Sequence, residues 1–356
     1  MIDELRRKSR SGRLFARRRG IGAAFFLAAL LLGLPAQAQN QDSRYFRIGT
    51  AATTGTYFQI GASIANLISK APGSRDCERG GSCGVPGLVA VAQATQGSVE
   101  NVGSIAAGRL DSAFVQSDVA YWAFTGTSLF KAQGAMPKLR AIAALFPETV
   151  HIVVRGESPI KSLRDLKGKR VSIGEKESGT IVDARLILEA AGIAEKDIKA
   201  ENLRLAQAAQ ALGNGSIDAF FLIAGYPVPA IAELASTTPL HLVPVPGDIA
   251  EKVKRRFNFF EESTVPPASY PGMDNATPSL SVSALWLVSA DMPDDLVYAI
   301  TKSLWRDSTR KALDNSHPMA SRIRLDRALA GVSVPLHPGA ERFYREAGVN
   351  RPEIKP

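Results

Sequence analysis

The chain has 356 residues, 45% of them hydrophobic and 22% charged, with 43 Lys and Arg against 34 Asp and Glu for a formal net charge of +9. Eight of those cations crowd the first twenty residues against Asp3 and Glu4, so the remainder carries only about +3 and implies no nucleic-acid partner. Two cysteines exclude a disulfide-framework miniprotein, and the length suffices for two sizeable cores.

Residues 1–38 read as a signal peptide. Arg6, Arg7, Lys8, Arg10, Arg13, Arg17, Arg18 and Arg19 precede an apolar run from Ile21 to Leu34, and Ala36-Gln37-Ala38 forms a small-x-small cleavage site. The run is shorter than the roughly 20 apolar residues of a membrane span, and no later stretch approaches that length. The chain is therefore expected to be cleaved after Ala38 and to be soluble and periplasmic, with an uncleaved anchor as the competing reading. The surroundings of Arg17-Arg18-Arg19 match a twin-arginine signal poorly, which favours the general secretion route.

A short strand, Tyr45 to Ile48, runs into Gly49-Thr50-Ala51-Ala52-Thr53-Thr54-Gly55-Thr56-Tyr57-Phe58-Gln59-Ile60-Gly61, which opens an amphipathic helix. This junction aims unpaired helix N–H groups, hydroxyls and the positive end of a helix dipole at one spot, suited to an anionic or carbonyl-bearing small molecule. Tyr57 can add a stacking face or a phenolic hydrogen bond. An ordinary strand-to-helix connection favours the same residues, so the loop alone decides nothing. Cys77 and Cys83 bracket Glu78 to Ser82, and in an oxidising compartment they are expected to close a Gly-rich loop as a disulfide. None of His151, His241, His317 or His337 lies close enough in sequence to make a zinc site there.

Leu88 to Ala94 reads as a strand and Ser98 to Ala107 as a helix capped by Ser98. Asp111 to Val115 is a strand ending in Gln116-Ser117-Asp118 before a helix from Val119 to Phe124, a second junction whose polar side chains sit where α/β sheets bind ligands. Leu139 to Phe146 and His151 to Arg155 read as two strands separated by Pro147-Glu148. A short helix after Ile160, a turn at Gly168 and a buried strand to Ile173 lead to Glu175-Lys176-Glu177-Ser178-Gly179-Thr180 and a helix from Ile181 to Ala191, mirroring the first junction. A helix from Ala206 to Leu212 and a strand from Ala219 to Ile223 reach a fourth junction at Ala224-Gly225-Tyr226-Pro227. The Pro-rich stretch from Pro244 to Pro278 is expected to hold no long regular element. Ser281 to Ser289 is a return strand, and Asp294 to Trp305 a helix with an acidic start. This alternation predicts an α/β architecture with a mostly parallel sheet in two lobes, residues 39–150 with 279–356 and residues 151–278, joined near Pro147 to Val153 and Pro278 to Leu287.

Catalytic signatures are missing. Gly174 to Thr180 has the spacing of a phosphate loop without its Lys. Ser158-Pro159-Ile160-Lys161 matches SxxK without partner motifs, and no HExxH occurs. His151 reads as a hydrogen-bonded packing residue and His337 as a group ordering a surface loop. The sequence thus predicts no enzyme, no cofactor and no metal.

Nine segments in order carry a family resemblance: Gly49 to Gly61, Gly97 to Asn101, Asp111 to Asp118, Phe146 to His151, Asp165 to Val171, Ser178 to Thr180, Asp218 to Phe221, Asp295 to Tyr298, and Pro335 to Ala340. Over essentially the whole mature sequence the chain resembles the solute receptors of the TRAP-associated extracytoplasmic immunogenic (TAXI) family. The resemblance implies a two-lobed type II periplasmic-binding-protein fold with a hinge and a central ligand cleft. It also implies a monomeric receptor that takes a small carboxylate or amino acid, glutamate and glutamine among them, to the membrane subunit of a sodium-coupled TRAP transporter. By position the pocket would be built from Thr53, Thr54, Thr56, Tyr57, Gln116, Ser117, Ser178, Gly179, Thr180, Tyr226 and Pro227. Two departures from the family pattern, Ala51-Ala52-Thr53-Thr54 and Glu175-Lys176-Glu177, put larger or charged side chains in the loops and place glutamate in doubt. An ATP-driven importer or a signalling system served by the same fold is the alternative, and a periplasmic enzyme the third reading.

Overall fold

A computed structural model describes residues 43–350. The signal peptide and its cleavage site lie outside the described residues.

In chain order, β1 (Arg44–Gly49) leads into α1 (Thr56–Ile68), a small pair β2 (Ser69–Lys70) and β3 (Val85–Pro86) flanks the cysteine loop, and β4 (Leu88–Gln93), α2 (Ser98–Ala106), β5 (Ser112–Gln116) and α3 (Ser117–Thr125) follow. Then come β6 (Leu139–Arg155), β7 (Arg170–Ser172), α4 (Gly179–Ala190), β8 (Lys199–Glu201), α5 (Leu205–Gly213), β9 (Ala219–Ala224), α6 (Pro229–Thr237), β10 (Leu240–Leu242), α7 (Gly247–Arg256) and β11 (Glu261–Val265). The chain returns through β12 (Thr277–Ser289) to α8 (Asp294–Leu304), α9 (Asp307–Asp314) and α10 (Pro338–Glu346).

The main sheet runs β4-β1-β5-β12-β6-β9-β7-β8, with β10 on β6 and β11 on β12. β1 is parallel to β4 and β5, and β7 is parallel to β8 and β9, while β6 and β12 run antiparallel to their neighbours. Strands covered by helices on both faces must be apolar on both faces, and the period of two sorts them. In β5, Phe114 packs with α1 and α8, whereas Ala113 and Val115 pack with α2 and α3. In β6, Val150, Ile152 and Val154 join the core under α4 and α7, and Val153 joins the one under α5 and α6.

Each half of the sheet therefore has its own cores. The first half holds β1, β4 and β5 with α1 to α3 and α8 to α10; the second holds β7 to β10 with α4 to α7. β6 and β12 pass through both, side by side from Phe146 and Ala284 to Thr149 and Ser281.

Several expectations are corrected here. β6 is one 17-residue strand, not two. Pro147 lies opposite Ser283 with a register shift just beyond at Ala284/Leu285, and an irregular ladder tolerates a residue without an N–H. The Pro-rich stretch contains α7 and β11. Pro246 stands at the cap of α7, where a missing N–H costs nothing, and Ile249, Ala250 and Val253 give the helix its buried stripe. Gly97, not Ser98, caps α2. His337 is fully buried and caps α10 by accepting from Gly339 N at 3.2 Å, so it orders a helix start in the core rather than a surface loop. Cys77 and Cys83 form a disulfide with Cα atoms 4.7 Å apart. Among the described residues no helix is long and apolar enough to cross a membrane.

Candidate functional site

The C-terminal ends of β1, β5, β7 and β9 converge where the two halves face each other, the place at which α/β sheets bind ligands. A cavity of about 80 Å³ lies there. At roughly 10–15 Å³ for each water-sized group, it admits a small solute and little more.

Helix starts form its polar ends. The cap of α1 is Gly55, which offers no side-chain acceptor, so the first-turn N–H groups around Thr56 and Tyr57 keep no partner within the helix. At α4, Ser178 Oγ accepts from Ile181 N at 3.2 Å and donates to Glu175 O at 2.8 Å, leaving the N–H groups of Gly179 and Thr180 beside the cavity. The start of α2 is already occupied: Val99 N and Glu100 N both donate to Glu177 O of the other half at 3.1 Å.

The halves touch around this cavity. Thr56 Oγ1 donates to Gly225 O, Ala230 N donates to Thr54 O at 3.3 Å, and Gln116 Nε2 donates to Asp183 Oδ2 at 3.0 Å. Farther out, Trp122 of α3 meets Phe257 and Phe259 edge-on with ring centroids 5.5 and 6.1 Å apart. Gly179 is a close-approach position, since a Cβ there would stand 1.4 Å from Gln116 Oε1.

Six residues named from the sequence share the cavity wall: Thr56, Tyr57, Gln116, Ser178, Gly179 and Thr180. Tyr57 does not present its ring for stacking. The ring packs edge-on against Phe114 and Phe146, and its hydroxyl donates to Glu148 Oε2 at 2.6 Å. Thr180 Oγ1 accepts from Ile223 N at 3.3 Å and ties α4 to the end of β9. The other five lie elsewhere. Thr53 and Thr54 border an adjoining groove with Glu175 and Arg204. Ser117 is buried as the first residue of α3, its carbonyl accepting from Ser333 Oγ. Tyr226 and Pro227 line a separate groove with Met319, and Pro227 O lies 3.0 Å from His317 Nε2. Of the charged run, Glu175 lines the cavity, and Lys176 and Glu177 are exposed.

Sequence reasoning missed Glu148, Ser98 and Ser172, all on the cavity wall. Glu148 is 2% exposed. Burial pushes its carboxyl well above the usual range; the Tyr57 hydrogen bond offsets part of that, and Asp118 adds to it. Behind Gln116, Asp118 and Asp183 are fully buried, and desolvation raises both, Asp183 strongly, with Asp118 the next cause of its rise. Burial also raises Glu175, which Arg204, 3.9 Å away, partly counters.

No Lys or Arg stands among the cavity-lining residues. A helix N-terminus contributes about 0.3–1 kcal/mol to a nearby anion, whereas two like charges 4 Å apart repel by about 4 kcal/mol at an effective dielectric constant of 20. The helix ends thus favour an anion only weakly, and an ionised Glu148 would oppose one at its part of the wall. His151 takes no part in the cavity: its Nδ1 lies 2.8 Å from Thr149 O and its Nε2 2.9 Å from Tyr270 Oη, and burial lowers it to about 4, so it is a neutral packing residue.

A model of the NMT1-like family matches residues 48–348. Solved structures similar to this chain include the periplasmic aliphatic sulphonate binding protein SsuA from Escherichia coli, at 17% identity over 87% of this chain and 84% of that one with a TM-score of 0.42. PhnD1 from Prochlorococcus marinus, in complex with methylphosphonate, is similar at 13% identity over 86% and 99% with a TM-score of 0.47. The ligand binding component of an ABC-type import system from Staphylococcus aureus, with zinc bound, is similar at 12% identity over 87% and 94% with a TM-score of 0.48.

Proposed function

This chain belongs to the NMT1-like family, and on that premise we propose that it is an exported receptor that captures a small organic acid or amino acid between its halves and hands it to a membrane transporter. The observation that carries the reading is the cavity itself, whose wall draws on strand ends and helix starts from both halves. A ligand bridging α1 and α4 would stabilise the arrangement in which Thr56 meets Gly225 and Gln116 meets Asp183, and so shift the population toward closure. The lobes of this motion are residues 39–150 with 279–356 and residues 151–278, and β6 and β12 are its hinge.

Two kinds of membrane partner suit such a receptor. The motif order of the sequence suggests a TRAP membrane subunit; the family match and the similar structures favour an ATP-driven importer, an ABC-type system being named for one of them. Uptake that follows a sodium gradient chooses the first, and uptake that follows ATP hydrolysis chooses the second.

A thermal-shift screen of the purified chain against organic acids and amino acids tests the reading. For the solute it identifies, Tyr57→Ala and Thr180→Ala are each expected to weaken binding tenfold or more, about 1.4 kcal/mol. Unchanged titration curves for both would remove the cavity from the account.

A further inference from the structure

The cavity wall also carries polar groups that the helix starts do not explain. Glu148, on β6, is nine-tenths buried or more and lines the wall. Gln116 and Ser172, 2% and 1% exposed, line it too, and Gln116 Oε1 and Ser172 Oγ have no hydrogen-bond partner among the described residues. The carboxyl and amide oxygens can accept from a ligand, and the serine hydroxyl can accept as well as donate. An anion arriving at these groups would meet acceptors and a second carboxyl rather than donors.

We propose that Glu148 is the specificity-determining residue for an ammonium group, so that the receptor selects a zwitterionic amino acid whose carboxylate lies at the α1 and α4 starts. This rests on the receptor reading above and narrows its ligand class. Ser172 and Gln116 supply the further acceptors that a three-donor ammonium requires.

The charges around Glu148 favour the same sign. Tyr57 from α1 donates to it, Asp118 from α3 and Asp183 from α4 lie near enough for their charges to act on the group, and Glu175 lines the same wall. No Lys or Arg is among the residues lining the cavity, and Arg204 lies 3.9 Å from Glu175. Because burial holds Glu148 toward its acid form, an incoming ammonium ion-pairs with the carboxylate and the displaced proton leaves to solvent. A carboxylate, sulfonate or phosphonate beside Glu148 requires the acid form, which burial already supplies, and so binds without releasing a proton.

The test uses matched probes on the full exported chain: L-alanine against L-lactate and L-glutamine against its 2-hydroxy analogue, with succinate, methanesulfonate and methylphosphonate as anions. Isothermal titration in two buffers of different ionisation enthalpy gives affinity and proton count together. The expected result is an amino acid that binds at least tenfold more tightly than its hydroxy analogue, with proton release. Glu148→Gln should weaken that amino acid at least tenfold while the ligand-free protein melts no lower than the wild type, a combination that a merely structural role for Glu148 does not give. If hydroxy acids or the anions bind best, without proton release, or if Glu148→Gln keeps full affinity, the inference fails and the receptor reading stands. If no probe of either class binds, the receptor reading fails with it.

Discussion

Gly179→Ala should abolish high-affinity binding while leaving the fold intact. The new methyl group would stand 1.4 Å from Gln116 Oε1 and 2.4 Å from Gln116 Cδ, across the line where the halves meet. Gln116 is itself buried and donates to Asp183 at 3.0 Å, so making room for the methyl breaks that bond or holds the halves apart. Overpacking costs about 1–3 kcal/mol, and a buried hydrogen bond lost with its partner left unpaired costs about the same again. Affinity is therefore expected to fall at least a hundredfold, about 2.7 kcal/mol. Position 179 is the first residue of α4, where alanine is a good helix former, so the melting temperature of the ligand-free protein should barely move. Gly103→Ala, in α2, is the control: a Cβ there meets nothing within 4 Å and should leave the titration unchanged. Wild-type affinity in Gly179→Ala would falsify the closed geometry at this contact.

The second large effect concerns Asp183. Asp118 and Asp183 are fully buried on opposite halves, and neither Asp118 oxygen nor Asp183 Oδ1 has a hydrogen-bond partner among the described residues. Desolvation, then their mutual proximity, raises Asp183 well above the ordinary value of 3.8. The sign follows from proton counting. Above about pH 4 the unfolded chain gives up protons that the folded chain keeps, so stability falls as pH rises toward the folded value and levels off beyond it. Asp183→Asn removes that loss, and its amide can accept from Gln116 while donating to Asp118. At pH 8 the variant should be more stable by about 1–3 kcal/mol, with a flatter pH profile between 5 and 8. Denaturant unfolding at several pH values checks this. A variant that is less stable at pH 8, with the wild-type slope, would contradict the charge assignment.

Much of the fold was legible because its signals are local. Gly49 to Gly61 and Ser178 to Thr180 announce strand-to-helix junctions through small, hydroxyl-bearing residues that only a turn and a helix start require together. Thr56, Tyr57 and Ser178 to Thr180 are legible as cavity residues for that reason. What was hidden depends on distant pairing. Nothing near Pro147 says that β12 lies alongside and carries β6 straight through. The helix at Gly247–Arg256 was masked by prolines that stand outside it.

Glu148 and Asp118 were hidden differently. An acid after a proline reads as a turn, and an acid in the first turn of α3 reads as a partner of the helix dipole. That both are buried against residues far away in sequence, Tyr57 for the one and Asp183 for the other, emerges only once the halves meet. Thr53, Thr54, Tyr226 and Pro227 show the converse: they sit in the same loops by sequence but border neighbouring grooves rather than the cavity.

The central claim is that the two halves close on a small solute, and small-angle X-ray scattering of the purified chain with and without the solute found by the screen tests it most directly. The account predicts that the liganded curve matches the arrangement described here, with Gln116 against Asp183, and that the empty protein is more extended. Identical curves in the two states would contradict it.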